Sequence, residues 1–156
     1  MPIYLVRHGE ALSELVDPAQ PLSERGRSAV ERVARHAAAV GMTVAEVLHS
    51  KKLRARETAQ ILAEHLTPVR GLAEVEWLAP VTDPGMAQDV IESAVEPLML
   101  VGHLPHLARL ASLLLTGNRN RETVRFRNAS VACLEKVEDA WVLLWALSPE
   151  VLPPTV

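Results

Sequence analysis

Short apolar runs alternate along this chain with longer segments in which apolar residues recur every three or four positions. The short runs have the length and composition of buried strands, and the longer segments have the period of helices with one buried face. Strands are predicted near residues 3–6, 44–48 and 98–101, with a weaker one within 69–77. Helices are predicted near residues 24–40, 51–66, 84–96 and 105–116. Two further apolar runs, 131–137 and 141–147, flank Glu138-Asp139 and predict a closing hairpin.

Local signals mark the ends of several of these elements. Ser23 and Asp83 are residue types that cap helix N-termini, and Gly41 and Gly117 are typical of helix C-termini. Residues 121–127 alternate charged and bulky side chains, which favours an edge segment. Because strands alternate with helices, we predict an α/β fold, a three-layer α/β/α sandwich around a mostly parallel central sheet. The length fits one domain spanning residues 1–156.

Composition narrows the class of protein that these elements build. With 49% hydrophobic and 22% charged residues, the chain has the balance of a folded soluble domain. A net charge of −3 gives no general attraction to nucleic acid or to an anionic membrane, so we expect neither as a partner. The single cysteine, Cys133, excludes an internal disulfide and suits a reducing compartment. The sequence shows no secretion signal and no apolar run of membrane-spanning length, so we expect a cytoplasmic protein.

Basic side chains follow three of the predicted strands. Arg7 and His8 come directly after the first strand, Arg54 lies in the first turn of the helix after the second, and His103 follows the strand at 98–101. The carboxyl ends of parallel strands share one edge of a sheet, where open α/β sheets bind ligands, so these residues can converge. Two guanidinium groups, two imidazoles and nearby helix N-termini suit a doubly charged anion such as phosphate. Gly9 lets the backbone pass close to such a ligand.

Four stretches carry a resemblance to a known family. The chain resembles the histidine phosphatase superfamily, which has the phosphoglycerate mutase-like fold, at Arg7-His8-Gly9-Glu10, at 21–26, at 50–59 and at Val101-Gly102-His103. The Arg-His-Gly triplet is weak alone, but the ordered set is specific and covers nearly the whole chain. The Gly102-His103-Leu104-Pro105 turn and the lack of room for an inserted cap domain resemble the branch of short bacterial phosphohistidine phosphatases.

The resemblance implies a role for each candidate residue. It implies that His8 is the nucleophile, which attacks phosphorus and becomes a phosphohistidine that water then hydrolyses. It also implies that Arg7, Arg54 and His103 bind the phosphoryl oxygens, with Gly9 beside the substrate, and that the reaction requires no metal or other cofactor. Elementary chemistry agrees, because an imidazole with a free pKa of about 6.5 is largely neutral and nucleophilic at pH 7.

One departure from the family pattern bears on the substrate. Many members protonate an alcohol leaving group with an acid from the segment after the third strand, whereas the aligned position here is Trp77, with Glu74, Glu76 and Asp83 nearby. Losing a general acid typically costs about 10²–10⁴-fold in rate. A phosphoramidate suffers less than an ester, because its leaving group is an imidazole. This favours phosphohistidine on a signalling protein, such as a histidine phosphotransfer domain. The alternative is a small phosphate ester, with an acid from residues 74–83.

Other interpretations stay open at this point. A second interpretation is a non-catalytic module that binds a phosphoryl group without turning it over. A pair such as His103 and His106 can bind zinc, although a histidine at the rim of the site, or directly behind the residues that contact the substrate, is the simpler interpretation of His106. Lys51 and Lys52 are consistent with steering an acidic partner, and also with a solvated helix start.

Overall fold

The computed structural model describes residues 1–154, and a single six-stranded sheet runs through them. The strands, numbered in chain order, are β1 (Pro2–Arg7), β2 (Glu46–His49), β3 (Leu72–Glu74), β4 (Leu98–Gly102), β5 (Val131–Val137) and β6 (Ala140–Leu147). Their order across the sheet is β3-β2-β4-β1-β5-β6. The first four strands are mutually parallel, while β5 pairs antiparallel with both β1 and β6. The predicted hairpin thus forms one end of the sheet.

Four helices cover the two faces of this sheet. They are α1 (Glu24–Ala39), α2 (Leu53–Leu66), α3 (Gly85–Ser93) and α4 (His106–Thr116). Apolar residues of α1 and α2 belong to one core cluster and those of α3 and α4 to another, so the sheet lies between two helical layers. Between residues 1 and 154 no cap domain is inserted. The predicted three-layer, phosphoglycerate mutase-like fold is confirmed.

Strand β4 shows why the sequence run at 98–101 is so apolar. All five of its residues are buried, because it lies between β1 and β2 with helices on both faces. Its side chains alternate: Met99 and Val101 pack into the α1/α2 cluster, while Leu98 and Leu100 pack into the α3/α4 cluster. Each fully buried side chain of this kind contributes about 1.5–3 kcal/mol through removal from water. The strand therefore holds the two layers together directly beneath the candidate site.

Helix α1 begins and α4 ends where the local signals indicate. The Ser23 hydroxyl oxygen accepts the Gly26 N–H at 2.9 Å, which is the bond expected of an N-cap. Gly117 follows α4 with φ of 76°, a left-handed conformation that glycine adopts without strain. Of the helices in residues 1–154, none combines the length and the apolar character needed to cross a membrane.

Helix α2 starts later than predicted. The expected start at Lys51 is wrong by two residues, since Lys52 has extended backbone angles (φ −65°, ψ 136°) and the helix begins at Leu53. The Ser50 hydroxyl oxygen accepts the Lys52 N–H at 3.3 Å, which holds the chain in this turn before the helix. Lys51 and Lys52 are exposed there.

One further expectation is corrected, and another is confirmed. Residues 121–127 form no strand; the segment crosses the end of the sheet instead, because Val124 and Phe126 are buried in the α3/α4 cluster. Within residues 69–77 only the three residues of β3 pair, and a 3₁₀ turn at Glu76–Leu78 follows. That turn buries Leu78, which would contact a side chain placed at Gly102. The 3₁₀ turn therefore lies beside the end of β4, while Phe126 contacts Arg7 at the end of β1.

Candidate active site

The candidate site lies where β1 and β4 end side by side. The His8 N–H donates to the Gly102 carbonyl at 3.1 Å, which extends the β1–β4 pairing by one residue. The rings of His8 and His103 then face each other, with centroids 4.9 Å apart and planes inclined by 53°. Two imidazoles that are 95 residues apart in sequence therefore meet because parallel strands end at one edge.

The backbone orients the His8 ring. Its Nδ1 atom lies 2.7 Å from the Gly9 carbonyl oxygen. Since a carbonyl can only accept, Nδ1 carries the proton of the neutral ring and Nε2 keeps its lone pair. The His8 carbonyl accepts from the Ala129 N–H at 3.1 Å and from the Asn128 side chain at 3.3 Å. The ring is thus attached to a backbone that β5 and its preceding loop hold in place.

Thr58 joins the Gly9 turn to helix α2. Its hydroxyl oxygen accepts the Gly9 N–H at 3.0 Å, and its hydroxyl donates to the Arg54 carbonyl at 2.7 Å. Thr58 is fully buried, with 0% of its surface exposed. One hydroxyl therefore couples the position of the His8 turn to the helix that carries Arg54.

Gly9 is required by packing against helix α1. A Cβ atom at this position would lie 2.7 Å from Val30 Cγ2 and 3.1 Å from Leu22 Cδ2. The glycine lets the turn after β1 lie directly on the helix, and its predicted place beside the substrate stays a prediction. A side chain at Gly26 would be closer still, 2.0 Å from the Glu10 carbonyl oxygen.

Arg7 and Arg54 place positive charge beside the rings. An Arg7 Nη1–H donates to the Phe126 carbonyl at 3.0 Å, and Arg7 Nε is buried without a partner in residues 1–154. Burial, together with the smaller effects of the Arg54 and Arg7 charges, lowers the pKa of His8 to about 4, although the hydrogen bond to Gly9 acts in the opposite direction. His8 is therefore neutral at pH 7, the form that keeps a lone pair on Nε2.

His103 is nearly enclosed, with 1% of its surface exposed. Its Nε2 atom lies 2.5 Å from the Ser50 hydroxyl oxygen, while Nδ1 has no partner among residues 1–154. Burial lowers the pKa of His103 to about 3, with smaller effects of His8 and Arg54. The second ring is thus also neutral at pH 7, and Ser50 is the side chain that holds it.

Carboxylates fasten the stretch at 21–26 to the site. Glu10 accepts from the Ser23 hydroxyl at 2.8 Å and from Arg25 Nε at 3.1 Å. Glu57 accepts from the Leu22 N–H at 2.8 Å. These hydrogen bonds give a structural reason why residues 21–26 occur together with Arg7-His8-Gly9-Glu10 among the four stretches that resemble the family.

Two of the three candidate acids between Glu74 and Asp83 form ion pairs with basic side chains. Glu76 forms an exposed ion pair with Lys51 at 2.6 Å, and Asp83 forms one with Arg119 at 2.9 Å. The bond to Lys51 lowers the pKa of Glu76, and the bond to Arg119 lowers that of Asp83. Glu74 is exposed at the sheet edge. Trp77 is half-buried and packs against the α3/α4 cluster.

His106 is buried rather than at the rim of the site. None of its surface is exposed, and neither ring nitrogen has a hydrogen-bond partner in the described part of the chain. Burial lowers the pKa of His106 to about 4. Residues 1–154 contain no group of three His, Cys, Asp or Glu side chains placed to hold a metal ion together. The proposed zinc pair therefore lacks a third protein ligand there.

The structure brings Arg7, His8, Arg54 and His103 together, as the strand-end argument predicts. Sequence reasoning did not single out the residues that hold them, namely Ser50, Thr58, Phe126 and Asn128. Ser50 and Thr58 stand within the family-like stretch at 50–59, which was the available signal. Phe126 and Asn128 had none, because they follow no strand and their contacts, a backbone carbonyl to Arg7 and a side-chain amide to the His8 carbonyl, span about 120 residues of sequence.

The fold and this geometry together define an α/β protein with a cationic pocket at the carboxyl edge of its sheet. The sequence profile of the histidine phosphatase superfamily (branch 1) matches residues 3–80, half of the chain, and the chain belongs to that superfamily. No curated protein matches the chain.

Solved structures share the fold along nearly the whole chain. The protein histidine phosphatase SixA complexed with tungstate is 23% identical, with a TM-score of 0.82, covering 96% of this chain and 97% of that one. A phosphoserine phosphatase mutant from Entamoeba histolytica in complex with phosphoserine is 13% identical (TM-score 0.73, coverage 96% and 98%). Mycobacterial glucosyl-3-phosphoglycerate phosphatase complexed with VO3 is 19% identical (TM-score 0.71, coverage 92% and 97%).

Proposed function

We propose that this chain is a metal-independent, SixA-like phosphatase that dephosphorylates phosphohistidine on a signalling protein, such as a histidine phosphotransfer domain. Residues 1–156 act as a single catalytic domain in this proposal. The observation that carries it is the His8 ring, whose Nδ1 is held by the Gly9 carbonyl at 2.7 Å so that Nε2 keeps a free lone pair.

The reaction has two balanced steps. In the first, the Nε2 lone pair of His8 forms a bond to phosphorus while the bond from phosphorus to the substrate's imidazole nitrogen breaks. The other nitrogen of the substrate ring has taken a proton from solvent beforehand, so the ring leaves as neutral imidazole. In the second, a water oxygen bonds to phosphorus, the bond to Nε2 breaks, and the water's proton leaves with solvent. Inorganic phosphate is released and His8 is neutral again.

The cations of the site match what phosphoryl transfer requires. Little covalent chemistry falls to the protein beyond the nucleophile, so positioning and stabilisation of negative charge dominate. In this proposal the guanidinium groups of Arg7 and Arg54 donate to the phosphoryl oxygens. His103 donates through Nδ1, its ring nitrogen without a partner among residues 1–154, while Nε2 accepts from the Ser50 hydroxyl. Removal of one such donor typically costs about 10²–10³-fold in kcat.

The leaving group favours phosphohistidine over an ester. Glu76 and Asp83 are paired with Lys51 and Arg119, and the pKa of each is lowered, so both are ionised at pH 7 and neither holds a proton to donate. An ester needs that proton because an alkoxide is strongly basic, whereas an imidazole is a far weaker base. The charge state of these acids therefore supports the phosphoramidate substrate.

Replacement of the nucleophile tests the proposal. His8→Ala is expected to abolish turnover of a phosphohistidine peptide, and brief incubation of the unsubstituted protein with labelled substrate should leave acid-labile phosphate on the chain. His36→Ala, on the exposed surface of α1, is the matched control and should keep full activity. Full activity in His8→Ala would refute the proposal. Binding of vanadate without turnover of any substrate would identify a non-catalytic module.

A small phosphate ester is the second candidate substrate, and one feature favours it. Glu76 lines a pocket of about 480 Å³ together with Ser50, the residue that contacts His103. Release from Lys51 would place an acid beside the site. The ester hypothesis predicts faster cleavage of an unactivated ester than of phosphohistidine at pH 7, and a loss of that activity in Glu76→Gln. The leading proposal predicts the reverse order and little effect of Glu76→Gln.

A further inference from the structure

A groove of about 780 Å³ adjoins the candidate active site and shares Arg7 and Asn128 with it. Its walls come from the first half of α1, the start of α4 and residues 122–128. We call it the arginine groove, after the five arginines that line it: Arg7, Arg25, Arg32, Arg125 and Arg127. A ligand whose phosphoryl group lies against Arg7 would therefore extend into this groove.

Two of these arginines are neutralised by neighbours. Arg25 is paired with Glu10, and Arg125 is paired with Glu122 at 2.9 Å. Because both carboxylates are already paired, neither compensates the charge of another arginine in the groove.

Two other arginines have no such partner. Within residues 1–154, the guanidinium groups of Arg32 and Arg127 form no ion pair and donate no hydrogen bond, and Arg32 Nε is buried without an acceptor. An arginine without an ion pair keeps its charge uncompensated, so these two guanidinium groups are available to an anionic group that enters the groove. An acidic group on the substrate would supply the missing counter-charge.

The charge of the groove is opposite to that of the chain. Its five arginines face three glutamates (Glu10, Glu122 and Glu150), an excess of two positive charges. The chain as a whole carries −3. A local field of this sign attracts acidic ligands and raises their rate of association.

We propose that the arginine groove binds acidic side chains that flank the phosphorylated residue of a protein substrate, through Arg32 and Arg127. The proposal rests on the proposed function, because it places the phosphoryl group at Arg7. Guanidinium groups match carboxylates with two parallel hydrogen bonds, so Asp and Glu are the side chains that fit.

The shape of the groove favours a peptide over a small metabolite. Arg25, Arg125 and Arg127 are exposed, and the groove is open to solvent along its rim. Small-molecule sites usually enclose about 70–90% of their ligand. An open groove with cations on both walls suits a chain segment that crosses it with alternate side chains directed to the walls.

Binding of two matched peptides tests this. Each is fluorescent, ten residues long and carries a stable phosphonate analogue of phosphohistidine at its centre; one has Asp and Glu flanks, the other Ser and Gly. We expect the acidic peptide to bind about 3- to 10-fold more tightly at low salt, with the ratio falling as salt rises. The ratio should approach one in Arg32→Gln/Arg127→Gln. It should persist in Arg35→Gln, an exposed arginine of α1 that lies outside the groove.

Equal affinities for the two peptides, or a preference that survives the double substitution, would overturn the proposal. Arg127→Gln alone removes an exposed side chain and leaves the core intact, so it should lower the ratio even if the double variant folds poorly. Hydrolysis of the matching phosphohistidine peptides is measured in parallel. No hydrolysis by the unsubstituted protein would overturn the proposed function, while the binding ratio would still decide the role of the groove.

Discussion

Replacing Thr58 by valine should destabilise the protein and slow turnover together. Valine keeps the shape of this fully buried side chain but removes the acceptor of the Gly9 N–H and the donor to the Arg54 carbonyl. A buried N–H left without a partner costs about 1–3 kcal/mol, and the added methyl group returns up to about 0.8 kcal/mol. The net loss should be about 1–2 kcal/mol, or about 2–8 °C in Tm for a domain of this size.

Turnover should fall by about tenfold or more, since the Gly9 turn orients the His8 ring and small displacements of a reacting group are costly. The measurements are urea unfolding and kcat on a phosphohistidine peptide. Thr116→Val is the matched control, because the Thr116 hydroxyl likewise donates to a carbonyl four residues earlier, at 2.8 Å, and accepts the Asn118 N–H at 3.1 Å, but in solvent. Equal stability losses in the two variants would refute the reasoning that burial of the Gly9 bond matters.

Three further predictions follow from the same contacts. Burial lowers the pKa of His8 to about 4, so an NMR titration of its ring should have a midpoint near pH 4. The free energy of unfolding should fall as the pH is lowered from 6.5 to 4, because only the unfolded chain takes up the proton in that range. A midpoint near 6.5 would contradict this. Ser50→Ala should lower kcat by about tenfold and shift the His103 ring resonances, whereas unchanged kinetics would rule out a positioning role. Gly26→Ala should lower the free energy of unfolding in urea by about 2 kcal/mol or more, because the alanine Cβ would lie 2.0 Å from the Glu10 carbonyl oxygen. This loss should outweigh the better helix propensity of alanine. A stabilised variant would show that the turn at Glu10 relaxes freely.

The neutral state of both rings suits a nucleophile and a hydrogen-bonding partner better than a pair of cations. Burial is the first cause of each lowered pKa, and the arginine charges add to it. The same arginines that would bind the phosphoryl oxygens therefore also keep His8 unprotonated. A phosphate bound there would reverse this effect, since its negative charge favours the protonated ring.

The sequence by itself determined the layered fold and the four basic residues of the candidate site. Apolar runs such as residues 98–101 can only be buried between two helical layers, and parallel strands place Arg7, His8 and His103 at one edge. The N-cap at Ser23 and the stop at Gly117 depend on local geometry alone, so a short stretch of sequence was enough to predict them.

Tertiary structure alone decided how those residues are held and what surrounds them. The path of residues 121–127 depends on burial of Val124 and Phe126 in a core built by distant helices. The alternation of charged and bulky residues in this segment therefore predicted an edge segment that does not form. The hydrogen bond between Ser50 and His103 joins residues 53 positions apart in sequence, and the ion pair between Lys51 and Glu76 joins residues 25 positions apart. Local sequence carries the propensity of a segment to form a strand or a helix, whereas side-chain partners and protonation are set by neighbours that only the folded chain brings together.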